Sequence, residues 1–296
     1  MKLQTRKSVK ALSCVIPATA YYLLFTLVPL VMLFWYSFTN YNVLERTQAF
    51  TGFENYVKIF TNAQYYSSLL TTLIIAVLIM AFGMSFGFLL ALGLNRIARG
   101  RSVLRILWYI PALLPMAVMS QFISILLQPL GIANNIARAL GGNPIAWYDS
   151  VFWMYFYIVL LITWKGLGST AVLFMAGLAG ISTEIYEAAA IDGATGAKRM
   201  LYITLPLMRP MIGFILITGF LGAFNVFEPV QLISGGAPRG KTEVILYKIY
   251  TQGFDNFKLG FASAISVVVF VIVLLLTVLN MRITDSNILK SEVAAQ

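Results

Sequence analysis

The chain has 296 residues, 59% of them apolar and only 11% charged, and its mean hydropathy is +0.83. Soluble domains hold roughly 45–50% apolar and about 25% charged residues, so this composition excludes a purely soluble protein and makes lipid the solvent for much of the surface. The net charge is +10, there is one cysteine, Cys14, and there is no histidine, which excludes an intrachain disulfide, cysteine- or histidine-based metal centres and catalysis through a histidine base.

A helical crossing of the bilayer core takes about 20 mainly apolar residues. The first such run is Val15–Phe38. Lys2, Arg6, Lys7 and Lys10 before it, and the triplet Ala18-Thr19-Ala20 inside it, imitate a secretory leader. The apolar run continues too far past the triplet for a leader, so it reads as a retained span. Further spans are expected at Leu69–Leu94, Val103–Leu127, Val151–Leu178, Met211–Ile233 and Phe261–Met281. With the N-terminus inside, thirteen Lys and Arg fall in inner segments and seven in outer ones, with Lys165 inside a span. The tight group Arg96, Arg99, Arg101 and Arg105 is the strongest part of that asymmetry, which sets both termini in the cytoplasm. The expected fold is therefore an all-α integral membrane protein with six transmembrane helices. Residues 1–14 form a cytoplasmic N-terminus, 15–283 the membrane domain and 284–296 a cytoplasmic tail.

Charges within a bilayer are costly and ask for a reason. Lys165 lies near the middle of the fourth span, beside Trp164 and after Tyr155. Glu228 falls in the outer half of the fifth, beside Phe227 and with Asn225 and Gln231 within a turn on either side. These residues suit the wall of a substrate path, where polar groups bond a polyhydroxylated ligand and rings stack on its C–H faces. They also suit plain packing or an interhelical ion pair, with Gly166 and Gly168 allowing close approach.

Between those two spans, residues 181–210 form a cytoplasmic segment longer than a linker requires. Ser182 or Thr183 can cap a first turn, with Glu184 and Glu187 near the positive end of the helix dipole. Glu187-Ala188-Ala189-Ala190 favours helix, Gly193 breaks it, and a second short helix can run from Thr195 to about Thr204. Pro206 and Pro210 then limit continuation and set the entry angle of the fifth span. The result is a helix–turn–helix that either lies on the lipid as an amphipathic element or offers a low surface to another protein.

Residues 235–242, GGAPRGKT, match the phosphate-cradling pattern G-x-x-x-x-G-K-[ST]. That chemistry needs a strand before the loop and a helix after it. Here a membrane span precedes it, the loop falls outside, and Pro238 removes a backbone N–H. The match reads as chance, and no ATP hydrolysis is expected of this chain.

The helix–turn–helix residues Glu187-Ala188-Ala189, Asp192-Gly193-Ala194, Leu205-Pro206 and Pro210 resemble the E-A-A signature of membrane subunits of binding-protein-dependent ABC importers. YIPALLP (109–115), GIANNIARALGG (131–142), FMAGLAGI (174–181) and SGGAP (234–238) extend the resemblance to the carbohydrate-uptake branch, which handles maltose-type and glycerol-phosphate-type substrates. There are departures, such as Ile181-Ser182 in place of the usual I-P. The resemblance implies a type I importer permease fold in the cytoplasmic membrane of a bacterium or archaeon. It implies that Glu187, Ala188, Ala189, Asp192, Gly193, Ala194, Leu205 and Pro206 dock on an ATPase, and that Mg-ATP is bound only by partner subunits. The partners implied are two cytoplasmic ATP-binding cassette subunits, a second, paralogous permease and an extracellular or periplasmic solute-binding protein, with a sugar as cargo. Against it stand an ion-coupled secondary transporter using Lys165 and Glu228 as a charge relay, for which no internal repeat is evident, and a membrane enzyme, for which no nucleophile arrangement is evident.

Overall fold

A computed structural model describes residues 15–46, 48–97 and 99–293. The basic cluster Lys2–Lys10 and Cys14 lie outside them. Among the described residues the chain is helical and forms no strand, with an isolated antiparallel bridge between Thr39 and Phe50. In chain order the elements are α1 (Val15–Ser37), α2 (Glu54–Thr61), α3 (Ala63–Arg96), α4 (Arg101–Leu113), α5 (Met116–Leu126), α6 (Ile132–Ala139), α7 (Val151–Ala179), α8 (Thr183–Ile191), α9 (Gly196–Leu207), α10 (Arg209–Phe224), α11 (Ile245–Tyr250) and α12 (Leu259–Val293). Four of them, α1, α3, α7 and the first part of α12, are each long and apolar enough to cross a membrane, and there are six crossings if α4–α5 and α9–α10 each count as one bent span.

Proline chemistry places the breaks. The third expected span is not straight: α4 and α5 meet at 84°. Leu114 precedes Pro115, and the proline ring clashes with a helical residue before it, so Leu114 is extended at φ −76° and ψ 139°. The fifth expected span also departs from Met211–Ile233. Helix α10 stops at Phe224, and a π-helical turn, Val230–Ser234, follows after Pro229. Pro229 has no N–H for the carbonyl of Asn225, and its ring opposes that carbonyl. A π-turn over Leu23–Leu27 likewise precedes Pro29, and one over Met200–Thr204 precedes Pro206. The helix of the sixth expected span, α12, does not end near Met281 but continues to Val293, through most of the expected tail.

Two compact units divide the chain. In the smaller, which contains the described residues up to Tyr65 and Lys248–Ile272, Phe34 meets Phe270 edge-on and Tyr65 meets Phe261 edge-on. The apolar window of α1 buries none of its residues. In the larger, Tyr66–Tyr247 with the rest of α12, α7 is the central helix and supplies residues to three apolar clusters. Its Ile158 joins Ile75, Val226 and Val244, its Met154 and Leu161 join Met119 and Trp147, and its Phe174 and Met175 join Leu94 and Met208. A Cβ at Gly168 would collide with the Trp108 carbonyl. Glycine there lets the α4 and α7 backbones touch, the packing by which helices associate where lipid offers no hydrophobic drive.

Candidate functional site

The segment 182–208 leaves α7 as the expected helix–turn–helix. Ser182 occupies the N-cap of α8, but neither it nor Thr183 makes a side-chain capping bond, so the expected cap is absent. The C-terminal end is closed instead. The N–H of Ala194 donates to Ala189 O at 2.8 Å and that of Gly193 to Ala190 O at 3.1 Å. Asp192 is the C-cap and Gly193 has φ +76°. This is a Schellman arrangement, in which the residue after the cap must be left-handed. The glycine of the D-G-A triplet is thereby explained by backbone geometry, since nothing lies within 4 Å of its would-be Cβ.

Side chains then clip the two arms together. The Arg199 guanidinium sits 5.3 Å from the centre of the Tyr186 ring. Tyr186 and the buried Thr204 share a hydrogen bond between hydroxyls at 3.3 Å, and Thr204 Oγ1 donates to Arg199 O at 3.4 Å. After Leu207 the chain turns by 67° into α10. Met208, at that corner between Pro206 and Pro210, is 1% exposed and packs on Phe174, Met175 and Leu178 of α7. The hairpin is therefore joined to the membrane core through an apolar contact and two prolines rather than a loose linker.

Its outer surface is set by the same geometry. Of the eight expected docking residues, Glu187, Ala188, Asp192 and Gly193 are exposed, Ala194, Leu205 and Pro206 are half-buried, and Ala189 is buried. Ile191 is 88% and Tyr202 76% exposed. A surface with a free carboxylate, small residues and bare apolar side chains can seat a partner that brings a basic group and an apolar rim.

The residues expected along a substrate path separate into two groups. Lys165 Nζ donates to Ala112 O at 2.8 Å and to Leu114 O at 2.6 Å. It thus replaces partners that those carbonyls lose at the Pro115 break. No ion pair joins Lys165 to Glu228. Trp164, the next residue, is 45% exposed. The second group lies around the interruption after α10. Asn225 is the C-cap, with its Nδ2 donating to Leu221 O at 2.9 Å. Phe227 packs near Tyr247, Glu228 starts the next helical segment half-buried, and Gln231 N donates to Phe227 O. Asn225, Glu228 and Gln231 therefore do not share one continuous helix as expected. Tyr155 packs against the same apolar cluster as Val226 and Val230, and its hydroxyl donates to Thr71 Oγ1 and Lys241 O. The ties from Lys165 to α4 and from Tyr155 to Lys241 were not anticipated, because backbone carbonyls carry no sequence signal.

The GGAPRGKT loop holds itself closed. Thr242 is fully buried, and its hydroxyl contacts Ser234 Oγ at 2.9 Å and Ala237 O at 2.7 Å. A π-turn rather than a strand precedes it. The hydroxyl that would hold Mg²⁺ in a P-loop is spent on the loop's own closure.

Residues 83–286 match the model of the family described as binding-protein-dependent transport system inner membrane component. The chain is 29% identical over 286 residues to the trehalose/maltose transport system permease protein MalF of Thermococcus litoralis, covering 95% of this chain and 96% of that one. It is 31% identical over 276 residues to the sn-glycerol-3-phosphate transport system permease protein UgpA of Yersinia enterocolitica, covering 93% of each. It is 28% identical over 274 residues to the arabinooligosaccharides transport system permease protein AraP of Bacillus subtilis, covering 91% and 87%. Its fold is that of a chain in the crystal structure of a bacterial ABC transporter that imports the acidic polysaccharide alginate, with a TM-score of 0.84, 23% identity and coverage of 97% and 99%.

Proposed function

From the premise that this chain belongs to the family of binding-protein-dependent transport system inner membrane components, we propose that it is one membrane half of an ATP-driven importer for a neutral sugar or oligosaccharide. It is a multi-pass permease subunit. In our reading it crosses the membrane six times with both termini in the cytoplasm, and the bent pairs α4–α5 and α9–α10 are the third and fifth crossings. The hairpin α8–α9 is the coupling element, held by a cytoplasmic ATPase subunit. Two such subunits, a paralogous permease and an external solute-binding protein complete the machine, and ATP binds only to the ATPase subunits.

The observation that carries the coupling role is the joining of Met208 to the α7 core. A displacement of the exposed hairpin is passed to the helices because the corner is packed and stiff, so the partner's closure biases a two-state bundle. Within the bundle, the interruption at Asn225–Glu228 breaks the helical backbone, with Asn225 exposed and Glu228 half-buried. Such irregular backbone is tolerated only where it is buried in protein or lines a water-filled cavity. In our reading it lines a cavity, which supports a substrate path along Asn225, Phe227, Glu228, Gln231 and the neighbouring Tyr155.

Substrate chemistry favours a sugar. The relatives carry names for trehalose/maltose, arabinooligosaccharides and glycerol phosphate. A phosphorylated cargo calls for free cationic groups along the path. Lys165 spends two of its three donors on Ala112 and Leu114, which weakens that alternative. The test is uptake of labelled sugars into proteoliposomes holding the chain with its co-purified subunits, ATP inside and binding protein outside. ATP-dependent accumulation that survives a proton ionophore supports the assignment. Accumulation by this chain alone under an ion gradient overturns it.

A further inference from the structure

We infer that the smaller unit carries a carbohydrate site of its own, in a cleft of about 670 Å³ lined by residues from the segments 40–65 and 252–261. On the importer assignment above, on which the outward orientation and the ligand class rest, this cleft lies where α1 ends and where α3 and α12 begin, at the external face.

The chemistry is dominated by carboxamides. Five of the chain's twelve asparagines line this one cleft, together with Gln252. Their bonding leaves donors and acceptors unused among the described residues. Asn40 Oδ1 accepts from Ala49 N, and Asn42 Oδ1 accepts from Leu44 N and Glu45 N. The amide nitrogens of both bond no described residue. Asn55 is 5% exposed, and its Nδ2 donates to Ser37 O and Thr39 O at 3.0 and 2.8 Å. That fixes its plane and leaves Oδ1 as an acceptor. The side chains of Gln252 and Asn256 bond no described residue.

Oriented amide donors beside a held amide acceptor match adjacent sugar hydroxyls, each of which both donates and accepts. Tyr65 and Phe261, edge-on at 5.3 Å, add ring surface. The charges are mixed, Glu45 against Lys58 and Lys258, and Lys58 also pairs with Glu54 at 2.6 Å. No single sign dominates, so the cleft suits an uncharged glycosyl unit.

The test uses the full-length chain in nanodiscs with its co-purifying subunits, without ATP or binding protein. Saturation-transfer NMR is recorded with maltotetraose and with cellotetraose. We expect transfer to sugar C–H protons for at least one of them. The double variant Gln252→Leu with Asn256→Ala is expected to weaken it about tenfold, the scale of losing hydrogen bonds worth about 1.4 kcal/mol together, at an unchanged melting temperature. Because neither side chain bonds a described residue, the unchanged melting temperature separates loss of the site from loss of stability. Transfer that is absent for both sugars, or lost in Asn225→Ala but retained in the double variant, overturns this site. A double variant that lowers binding-protein affinity without any sugar signal overturns it too and marks a protein contact. ATP-driven uptake is read separately: its absence with an intact cleft signal faults the importer assignment, and its presence without one faults only the cleft.

Discussion

Lys165 Nζ lies 2.6 Å from the carbonyl oxygen of Leu114, the residue at which the bent pair α4–α5 turns. An extended residue before proline leaves carbonyls without their helical partners, and within lipid those carbonyls have no water to turn to. Lys165 therefore holds a broken helix closed from the neighbouring α7. Lys165→Met should destabilise the detergent-solubilised complex by about 1 kcal/mol, the scale of losing hydrogen bonds to partly exposed acceptors, and lower its melting temperature. Lys165→Arg should recover part of the loss. A variant with unchanged melting but an altered KM for uptake would instead make Lys165 a substrate contact.

Gly193 supports a prediction that separates coupling from folding. Its φ of +76° sits in open space, so an added methyl costs backbone strain alone, about 1–2 kcal/mol. Gly193→Ala should leave membrane insertion and basal ATPase activity of the complex intact while reducing sugar moved per ATP hydrolysed. Gly193→Asn, which tolerates the left-handed region, should fall between the two. Equal transport per ATP in all three proteins would show that the hairpin's turn does not carry the coupling.

The Tyr186–Arg199 contact at 5.3 Å clips the arms of that hairpin. A cation over a ring at an exposed site contributes about 0.5–1 kcal/mol. Arg199→Gln should raise amide exchange across 196–204 by several-fold with little effect on global stability. Tyr186→Phe keeps the ring and should change exchange less. No difference between Arg199→Gln and the parent chain would assign the hairpin's stiffness to the Thr204 and Met208 contacts alone.

Much of this was legible from residue types, and the reasons for the exceptions are physical. Hydropathy locates α1, α3, α7 and α12 because lipid imposes a length on each crossing. The breaks were written in Pro115 and Pro229, yet an apolar window averages over a proline and returns a straight span. The hairpin was placed by Gly193 and the paired prolines, but its closure came from main-chain bonds to Ala189 and Ala190 rather than the expected Ser182 or Thr183 cap. Lys165 stood out as a charge in lipid, while its partners are carbonyls, which every residue has. The carboxamide cleft draws on segments about 200 residues apart, so no local pattern could assemble it.

Glu228 gives the sharpest test of the substrate path. It begins a helical segment at the interruption after α10, half-buried, and forms no salt bridge among the described residues. If its carboxylate accepts a hydrogen bond from a sugar hydroxyl, the bond is charge-assisted and stronger than a neutral one. Glu228→Gln keeps the shape and removes the charge, a loss of about 1 kcal/mol or fivefold in affinity. Uptake by the reconstituted complex should show KM raised about fivefold, with the maximal rate and the melting temperature unchanged, since the contact is to bound substrate and not to the fold. Asn225→Asp at the same interruption keeps a side chain able to accept but removes the amide that donates to Leu221 O, so it should lower the melting temperature as well. A Glu228→Gln protein that loses stability while its KM stays fixed would place this carboxylate in the packing of the broken helix and move the sugar path elsewhere.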